Sequence, residues 1–458
     1  MREVEQGTLR GGGGPPDDCE PPEAAARRHV LEAEQAAGGT LEGARDVRRV
    51  GVVGAGTMGA GIALTCAQSE LEVEIVDAGA EALRAGIARI ESTLDSAVKK
   101  GRLTAQTAAA ARSRVRSSLR LEVLSEADLI IEAVFEDAGI KQDLFARLGS
   151  IARPGALLAT NTSTLDVEAI ARASGRPGDV VGMHFFSPAH LMRLIEIVRT
   201  SRSSAEALTT ALATAQRLGK LGVVVGNGFG FVGNRMLYAY GRERELMLLE
   251  GAEPERIDRV LEAFGMAMGP NAVSDLAGIE VGVAARRQWR ERPDDPRWYR
   301  VSELLVERGR LGRKSGCGFY RYTGAERRLE SDPEVHELIL VEARRLGIVR
   351  REVANEEITE RCMLALINEG ARVLEEGIAE AGADIDVIWC NGYGFPRARG
   401  GPMFYADTLG LAWVLERIGH YAREQGERYW TAAPLLARLA RQRGRLAEWR
   451  RAPGGGKP

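Results

Sequence analysis

A histidine and a glutamate lie close together in the sequence, each beside a run of apolar residues. His184 follows the run over residues 180–183, and Glu196 lies inside the run over residues 194–198. Pro188 turns the chain between them, so we expect two short buried strands. A buried carboxylate is costly unless it is paired, and His184 is the nearest partner. A histidine held by a carboxylate can act as a general base; a pair that only stabilises the core is the alternative.

A glycine-rich turn follows the apolar run over residues 50–53. It reads Gly54-Ala55-Gly56-Thr57-Met58-Gly59, and residues 60–68 then have helical composition. A strand, a G-x-G-x-x-G turn and a helix are the parts that bind a dinucleotide pyrophosphate, because the glycines let the backbone approach the phosphates. The free N–H groups at the helix start add a partial positive charge. We therefore expect five residues to contact the cofactor: Gly54, Gly56, Thr57, Met58 and Gly59.

An acidic residue, Asp77, ends the next predicted strand, over residues 73–76. An acid at this point can accept hydrogen bonds from the ribose hydroxyls, and it would repel the 2′-phosphate of NADP. Residues 78–80 are Ala, Gly and Ala, so no arginine directly follows to bind that phosphate. The sequence therefore favours NAD over NADP. A surface aspartate that caps the strand is the alternative.

Short apolar runs alternate with helical segments from residue 48 to about residue 225, and from about Gly228 onward the pattern is helical. This alternation predicts a doubly wound parallel sheet. The predicted strands are residues 50–53, 73–76, 129–132, 157–159, 180–184 and 194–198.

The helical part contains one ordered motif twice. An Ile-Asp pair, Ile257-Asp258 or Ile385-Asp386, precedes a proline, an aspartate and a glycine in each copy. In both copies the aspartate follows the proline by five residues, and the glycine follows the aspartate by three. These are Pro270, Asp275 and Gly278 in the first copy, and Pro402, Asp407 and Gly410 in the second. Two related helical domains explain the ordered series better than chance does.

These patterns together predict an α/β Rossmann-type NAD-binding domain followed by two related all-α domains. The predicted divisions are a tail with a linker helix over residues 1–46, the NAD-binding domain over 47–226, and helical domains over 227–325 and 350–450.

Composition argues against several classes of protein. The sequence has 62 Lys and Arg against 64 Asp and Glu, so its overall charge favours neither nucleic acid nor an anionic membrane. No apolar run approaches the roughly 18 residues that span a bilayer, and residues 1–28 lack the apolar core of a signal peptide. The five cysteines show no C-x-x-C, which is typical of free thiols in a reducing compartment. We expect a soluble cytoplasmic protein without a metal site or membrane insertion.

Three segments taken in order closely resemble the L-3-hydroxyacyl-CoA dehydrogenase family: the glycine turn, residues 161–165 (NTSTL) and the segment with His184 and Glu196. The resemblance covers about residues 48–322 and includes GFGFVGNR and GRKSGCGFY. The second helical copy, with NGYGFPRARGGPMFYAD, resembles the C-terminal repeat of multifunctional β-oxidation proteins. In those proteins a hydratase/isomerase half comes first. Here we expect the dehydrogenase half alone, with residues 26–34 similar to the connecting helix.

The resemblance implies an NAD-dependent oxidation of L-3-hydroxyacyl-CoA to 3-oxoacyl-CoA in fatty-acid β-oxidation. His184 would accept the proton of the C3 hydroxyl, and Glu196 would orient the imidazole and stabilise its charged form. Ser163 would lie near the substrate oxygen and the cofactor ring; it also stands where it would cap a helix that starts near Leu165. Asn234 would close the site from the other side, and an ordinary polar residue at a helix start is the alternative.

Further contacts follow from the resemblance alone. Glu136, Lys141 and Lys314 occupy cofactor-contact positions of the family, and for Lys141 a position facing coenzyme A is a second option. By themselves, Glu136 and Lys141 resemble a solvated helix start, and Lys314 resembles a basic loop residue. Ser187, also expected near the cofactor, replaces the Asn of single-function members, as in the multifunctional branch. Three residues are candidates for the 3′-phosphate of coenzyme A, with a solvated helix end as the alternative: Lys99, Lys100 and Arg102.

Two other functions fit the same sequence. One is a related dehydrogenase of a small hydroxy acid, and the other is a non-catalytic NAD-binding partner of a hydratase. The complete set of Ser163, His184, Glu196 and Asn234 argues against the second. A hydratase or thiolase is the expected protein partner. The chain is expected to be a monomer or a homodimer, since a second helical copy can cover the surface through which single-function relatives pair.

Overall fold

The computed structural model describes residues 20–39, 41–324 and 328–452. Residues 1–19 of the predicted tail, Cys19 among them, lie outside the described residues. The rest of the predicted tail contains helix α1 (Pro22–Ala37), which begins with a proline at its first position. Its buried residues recur on one face: Ala26, Val30 and Ala33. A helix with one buried face is packed against the protein.

Eight strands form one sheet within the described residues, in the order β3-β2-β1-β4-β5-β6-β7-β8. Every neighbouring pair is parallel except β6 and β7, which are antiparallel. The predicted parallel sheet is therefore confirmed except at this pair, where the intervening loop is too short for the crossover of about a dozen residues that a parallel pair requires. The strands are β1 (Arg49–Val53), β2 (Glu72–Val76), β3 (Val115–Ser118), β4 (Leu129–Glu132), β5 (Leu157–Thr160), β6 (Val180–Phe185), β7 (Leu194–Arg199) and β8 (Leu221–Gly226).

Helices cover both faces of this sheet. Because alternate residues of a strand point to opposite faces, Val52 of β1 joins one apolar cluster and Val53 joins another. The first cluster includes Ile62 from α2, and the second includes Phe145 from α5. The helices are α2 (Thr57–Gln68), α3 (Ala80–Lys99), α4 (Ala105–Ser113), α5 (Ala138–Ile151), α6 (Val167–Ala173) and α7 (Ala205–Arg217).

Two helical modules follow the sheet. The first module comprises α8 (Gly233–Glu250), α9 (Pro254–Phe264), α10 (Pro270–Ala277), α11 (Ile279–Arg287) and α12 (Arg300–Glu307). Strands β9 (Arg321–Thr323) and β10 (Arg328–Glu330) and helix α13 (Pro333–Arg345) connect it to the second. The second module comprises α14 (Asn355–Glu375), α15 (Gly382–Gly392), α16 (Pro402–Leu409), α17 (Leu411–Gln425), α18 (Glu427–Trp430) and α19 (Pro434–Gln442).

The aspartate of the repeated Ile-Asp pair, Asp258 or Asp386, binds backbone N–H groups at a helix start in both modules. Asp258 accepts two N–H bonds, of 2.9 and 3.0 Å, from the first turn of α10. Asp386 accepts two, of 2.7 and 3.1 Å, from the first turn of α16. A buried carboxylate at a helix N-terminus satisfies N–H groups that have no partner inside the helix. The two copies share this contact, although the aspartate precedes the helix's proline by 12 residues in the first copy and by 16 in the second.

The helix α1 belongs with the second module. His29 Nε2 lies 2.9 Å from Asp386 Oδ2, and the His29 ring stacks on Phe404. Glu34 accepts hydrogen bonds from Asn391 and Arg397. The linker helix of the predicted tail is therefore anchored to the second module by polar bonds at His29 and Glu34.

A buried ion network joins the two modules. Arg361 of α14 donates to Glu243 and Glu250 of α8 at 3.0 and 2.6 Å. Arg361 and Glu243 are both completely buried. Burying these charges is costly, and Glu243 is compensated both by Arg361 and by Arg242, whose Nε lies 2.8 Å from it.

We expect Arg361→Leu to lower the free energy of unfolding by about 1–3 kcal/mol, because Glu243 would keep only Arg242 as a buried cation. Urea denaturation followed by circular dichroism measures this change. The exposed Arg441, on α19, provides the control. Arg441→Leu should change the free energy by no more than about 0.5 kcal/mol. Equal effects of the two substitutions would show that the buried network does not hold the modules together.

Candidate active site

His184 and Glu196 face each other across the antiparallel pair β6–β7. The register places them directly opposite, and Nδ1 of His184 lies 2.8 Å from Oε2 of Glu196. The second carboxylate oxygen, Oε1, accepts the N–H of Gly233 at 3.0 Å. Glu196 is completely buried, and His184 is 6% exposed. The carboxylate therefore lies between the imidazole and the N-terminus of α8, whose partial positive charge favours an anion.

The hydrogen bond fixes the tautomer of a neutral His184. An ionised carboxylate only accepts, so Nδ1 must carry the proton and Nε2 keeps its lone pair. From the part of the chain that the structure describes, no hydrogen bond reaches Nε2. The rings of Phe186 and Phe231 lie 4.6 and 5.7 Å from the imidazole, between centroids. A base with a free lone pair is thus held beside an apolar wall.

Ser163 is held by Glu136, which follows β4. Oε1 of Glu136 accepts the N–H of Ser163 at 2.9 Å and lies 3.2 Å from its hydroxyl oxygen, which donates to it. The prediction that Ser163 caps a helix starting near Leu165 is wrong. The helix α6 starts at Val167 and is capped by Asp166, whose side chain accepts the N–H of Glu168. The serine loop is therefore positioned by a carboxylate of the neighbouring strand end.

Lys141 lies inside the domain. It is 1% exposed, and its Nζ donates to Glu132 at 2.5 Å and lies 3.2 Å from a carboxylate oxygen of Glu136. The interpretation as a solvated helix start is therefore wrong for Lys141. Burial alone would raise the pKa of Glu136, but Lys141 and the hydrogen bonds from Thr162 and Ser163 hold this pKa below its ordinary value. Glu136 is thus an anion that ties Lys141 to the serine loop.

The glycine turn has the shape that a pyrophosphate requires. Gly54 has a φ of 102°, and a Cβ there would meet the carbonyl oxygen of Ala133 at 2.5 Å. A Cβ on Gly59 would meet the carbonyl oxygen of Gly54 at 1.8 Å, so the helix packs as closely as predicted. A Cβ on Gly56, in contrast, would have no atom of the described residues within 4 Å beyond its own chain neighbours. The backbone is open at this residue, next to Thr57 and Met58 in the first turn of α2, and phosphates fit there.

Asp77 ties the end of β2 to the glycine turn. Its two carboxylate oxygens accept the N–H groups of Ala55 at 2.8 Å and Gly79 at 2.9 Å. Asp77 remains partly exposed. The carboxylate therefore stabilises the turn itself, and its contact with a ribose stays a prediction.

Asn234, the second residue of α8, has a partner that the sequence does not reveal. The hydroxyl of Tyr393 lies 2.9 Å from Oδ1 of Asn234. Tyr393 belongs to the second module and directly follows α15. Its motif, NGYGF, is part of the resemblance, but no spacing within the sequence indicates a contact 159 residues away.

Comparison with known proteins decides the family. The description "3-hydroxyacyl-CoA dehydrogenase, NAD binding domain" matches residues 49–228. The description "3-hydroxyacyl-CoA dehydrogenase, C-terminal domain" matches twice, at residues 230–322 and 358–448. The chain belongs to the 3-hydroxyacyl-CoA dehydrogenase family. The predicted fold, its repeated helical domain and the predicted cofactor, NAD, are confirmed.

The proteins similar to this chain include a bifunctional enzyme and a 3-hydroxybutyryl-CoA dehydrogenase. The chain is 41% identical over 421 residues to the peroxisomal bifunctional enzyme of Danio rerio, and the match covers 89% of this chain and 58% of that one. The solved structure of Escherichia coli 3-hydroxybutyryl-CoA dehydrogenase is 27% identical, with a TM-score of 0.74 and coverage of 87% of this chain and 99% of that one. The dehydrogenase part of multifunctional enzyme 1 from C. elegans is 29% identical, with a TM-score of 0.65 and coverage of 90% and 96%. The chain thus spans little more than half the length of the zebrafish relative.

The expectation of a cytoplasmic protein is wrong. The related proteins of Danio rerio and Arabidopsis thaliana are named peroxisomal enzymes. Charge balance and free thiols do not separate the two compartments, and peroxisomal addresses are short receptor-read signals without an apolar segment. Across the described ranges, the structure shows no helix long and apolar enough to cross a membrane. It also shows, within those ranges, no group of three or more His, Cys, Asp or Glu side chains placed to hold a metal ion.

Five predicted contact residues remain: Lys314, Ser187, Lys99, Lys100 and Arg102. Lys314 pairs with Glu280 of α11. Ser187 is exposed next to the end of β6. Lys99, Lys100 and Arg102 are exposed at the C-terminal end of α3. Their contacts with cofactor or coenzyme A therefore stay predictions.

We expect Glu136→Gln to lower the thermal midpoint at neutral pH, because the amide would face Lys141 with a donor. The lowered pKa of Glu136 means that its carboxylate stabilises the fold above its ordinary value of 4.5, and that this stabilisation is lost as the pH falls from there towards the lowered pKa. The difference in midpoint between wild type and variant should therefore narrow below pH 4.5. Glu81, with a side chain that is 95% exposed, gives the control Glu81→Gln. A constant difference across this range would refute the role of the Glu136 charge.

Proposed function

We propose that the chain catalyses the NAD-dependent oxidation of L-3-hydroxyacyl-CoA thioesters to 3-oxoacyl-CoA thioesters within fatty-acid β-oxidation. One observation carries the proposal: a buried carboxylate holds the histidine in the tautomer that accepts a proton, in a chain whose N-terminal half is the NAD binding domain of this family. The names of the relatives, a peroxisomal bifunctional enzyme and a 3-hydroxybutyryl-CoA dehydrogenase, support the choice of substrate.

In this mechanism His184 acts as the general base. Its Nε2 accepts the proton of the C3 hydroxyl, and the imidazolium that forms is stabilised by Glu196 through Nδ1. The burial of Glu196 makes this stabilisation stronger than it would be in water. The apolar contacts of Phe186 and Phe231 with the imidazole limit the access of water to the proton in transfer.

The cofactor site follows from the glycine turn. Gly54, Gly56 and Gly59 would hold the pyrophosphate against the first turn of α2, and Asp77 would hold the ribose. NAD, when bound, supplies the acceptor for the hydride of C3. Lys141 would contribute indirectly, because its Nζ is already bonded to Glu132 and lies beside Glu136.

The oxygen of the substrate needs hydrogen-bond donors as its charge changes. The hydroxyl of Ser163 donates its one proton to Glu136, so it would have to turn away from Glu136 to donate to the substrate oxygen. Asn234, which follows the Gly233 whose N–H binds Glu196, offers an amide. The amide of Asn234, whose oxygen is already bound to Tyr393, would be a donor that stabilises the developing charge without having to reorient.

A hydratase or thiolase partner and the choice between monomer and homodimer stay predictions. The contact of α8 with α14 gives the first module a neighbour within the same chain. We therefore propose a monomer, which analytical ultracentrifugation tests directly.

We expect His184→Gln and Glu196→Gln each to reduce turnover by about 10²–10⁴-fold while NADH still binds. The first removes the base and the second removes the carboxylate that orients it, and both leave the glycine turn intact. The measurement is the loss of NADH absorbance with acetoacetyl-CoA, and NADH binding is followed by fluorescence. His336 provides a matched control, since its Nε2 lies 3.0 Å from Glu255 outside the site. His336→Gln should retain wild-type turnover.

Three outcomes would contradict the proposal. Turnover of either site variant near the wild-type rate would remove His184 and Glu196 from the mechanism. Turnover of free acetoacetate in preference to the thioester would indicate a dehydrogenase of small hydroxy acids. NADH binding without turnover of any 3-oxoacyl-CoA in the wild type would indicate a non-catalytic NAD-binding protein.

A further inference from the structure

Tyr393 brings the second helical module into contact with the site. Its hydroxyl lies 2.9 Å from Oδ1 of Asn234. Its ring meets Phe186 edge-on, with centroids 5.4 Å apart, and Phe186 in turn contacts His184. One side chain of the second module therefore touches both an amide and an aromatic wall of the candidate active site.

The position of the Tyr393 ring is fixed on two sides. It stacks on the buried Trp389 of α15, with centroids 4.7 Å apart and planes 24° from parallel. On its other side lies Gly233, where a Cβ would approach the ring to 2.3 Å. The same Gly233 donates its N–H to Glu196. The first turn of α8 is thus held by the catalytic carboxylate and by Tyr393.

The hydroxyl of Tyr393 is the donor in its hydrogen bond with Asn234. Burial raises the pKa of Tyr393 well above its ordinary value, with the charge of Glu196 acting in the same sense. The phenol therefore stays protonated at neutral pH and donates to Oδ1 of Asn234. An amide whose oxygen is engaged in this way must direct its two Nδ2–H donors elsewhere.

We propose that Tyr393 is a positioning residue for the dehydrogenase reaction. It orients the amide of Asn234 so that the N–H groups face the substrate oxygen, and the second helical module thereby completes the active site. The inference rests on the proposed function, because it needs a substrate oxygen for the amide to bind. Tyr393 itself acts only through Asn234.

The first test is Tyr393→Phe, which removes the hydroxyl and keeps the ring against Gly233 and Trp389. We expect kcat with acetoacetyl-CoA to fall about tenfold, as for the loss of one hydrogen bond, with NADH affinity unchanged. Tyr421 of α17 is the matched control, because its hydroxyl also donates within the second module, to Glu360 at 3.0 Å. Tyr421→Phe should leave kcat at the wild-type value.

The second test is a double-mutant cycle with Asn234→Ala. If Tyr393 acts by orienting the amide, Tyr393→Phe causes no further loss of kcat once the amide is absent. An effect that acts through general packing would give the same fold-loss in both backgrounds. Wild-type kcat in Tyr393→Phe, or equal losses in both backgrounds, would overturn the inference alone. A wild-type protein without turnover of 3-oxoacyl-CoA would overturn the proposed function, and this inference with it.

Discussion

The placement of one carboxylate determines much of the site. Glu196 is completely buried in the sheet, and it is tolerable there because its two oxygens are bonded to His184 and to the first N–H of α8. Both partners must therefore be fixed relative to β7. The antiparallel register supplies the histidine, and the start of the first helical module supplies the N–H. The chemistry and the junction between the two domains thus depend on the same buried charge.

Much of the fold is readable because its signals are local. Apolar runs of strand length and a glycine turn before a helix predict the sheet without any long-range information. Both edge strands were missed: β3 (VRSS) has no apolar run, whereas β8 has one over residues 223–225 that was not predicted as a strand. The repeat was also readable, because the proline that starts α10 or α16 is followed five residues later by an aspartate that accepts two backbone N–H groups, Asp275 or Asp407.

The site was predictable where partners lie on neighbouring strands and hidden where they do not. His184 and Glu196 could be paired from one hairpin-like segment. The burial of Lys141 and its pairing with Glu132 could not be predicted, because they depend on how α5 packs against the sheet. Tyr393 reaches Asn234 from another module, and no property of either residue type indicates that contact. Amino-acid composition does not distinguish the cytoplasm from the peroxisome either, and the expectation of a cytoplasmic protein was therefore wrong.

Glu196 should hold the neutral His184 ring with its proton on Nδ1 and its lone pair on Nε2. Nitrogen NMR of protein with isotopically labelled histidine reports this directly, since the sequence has only five histidines. The signals of His184 are assigned by their loss in His184→Gln. For the neutral ring without substrate, we predict a protonated Nδ1 and an unprotonated Nε2. A neutral ring with its proton on Nε2 would contradict this claim.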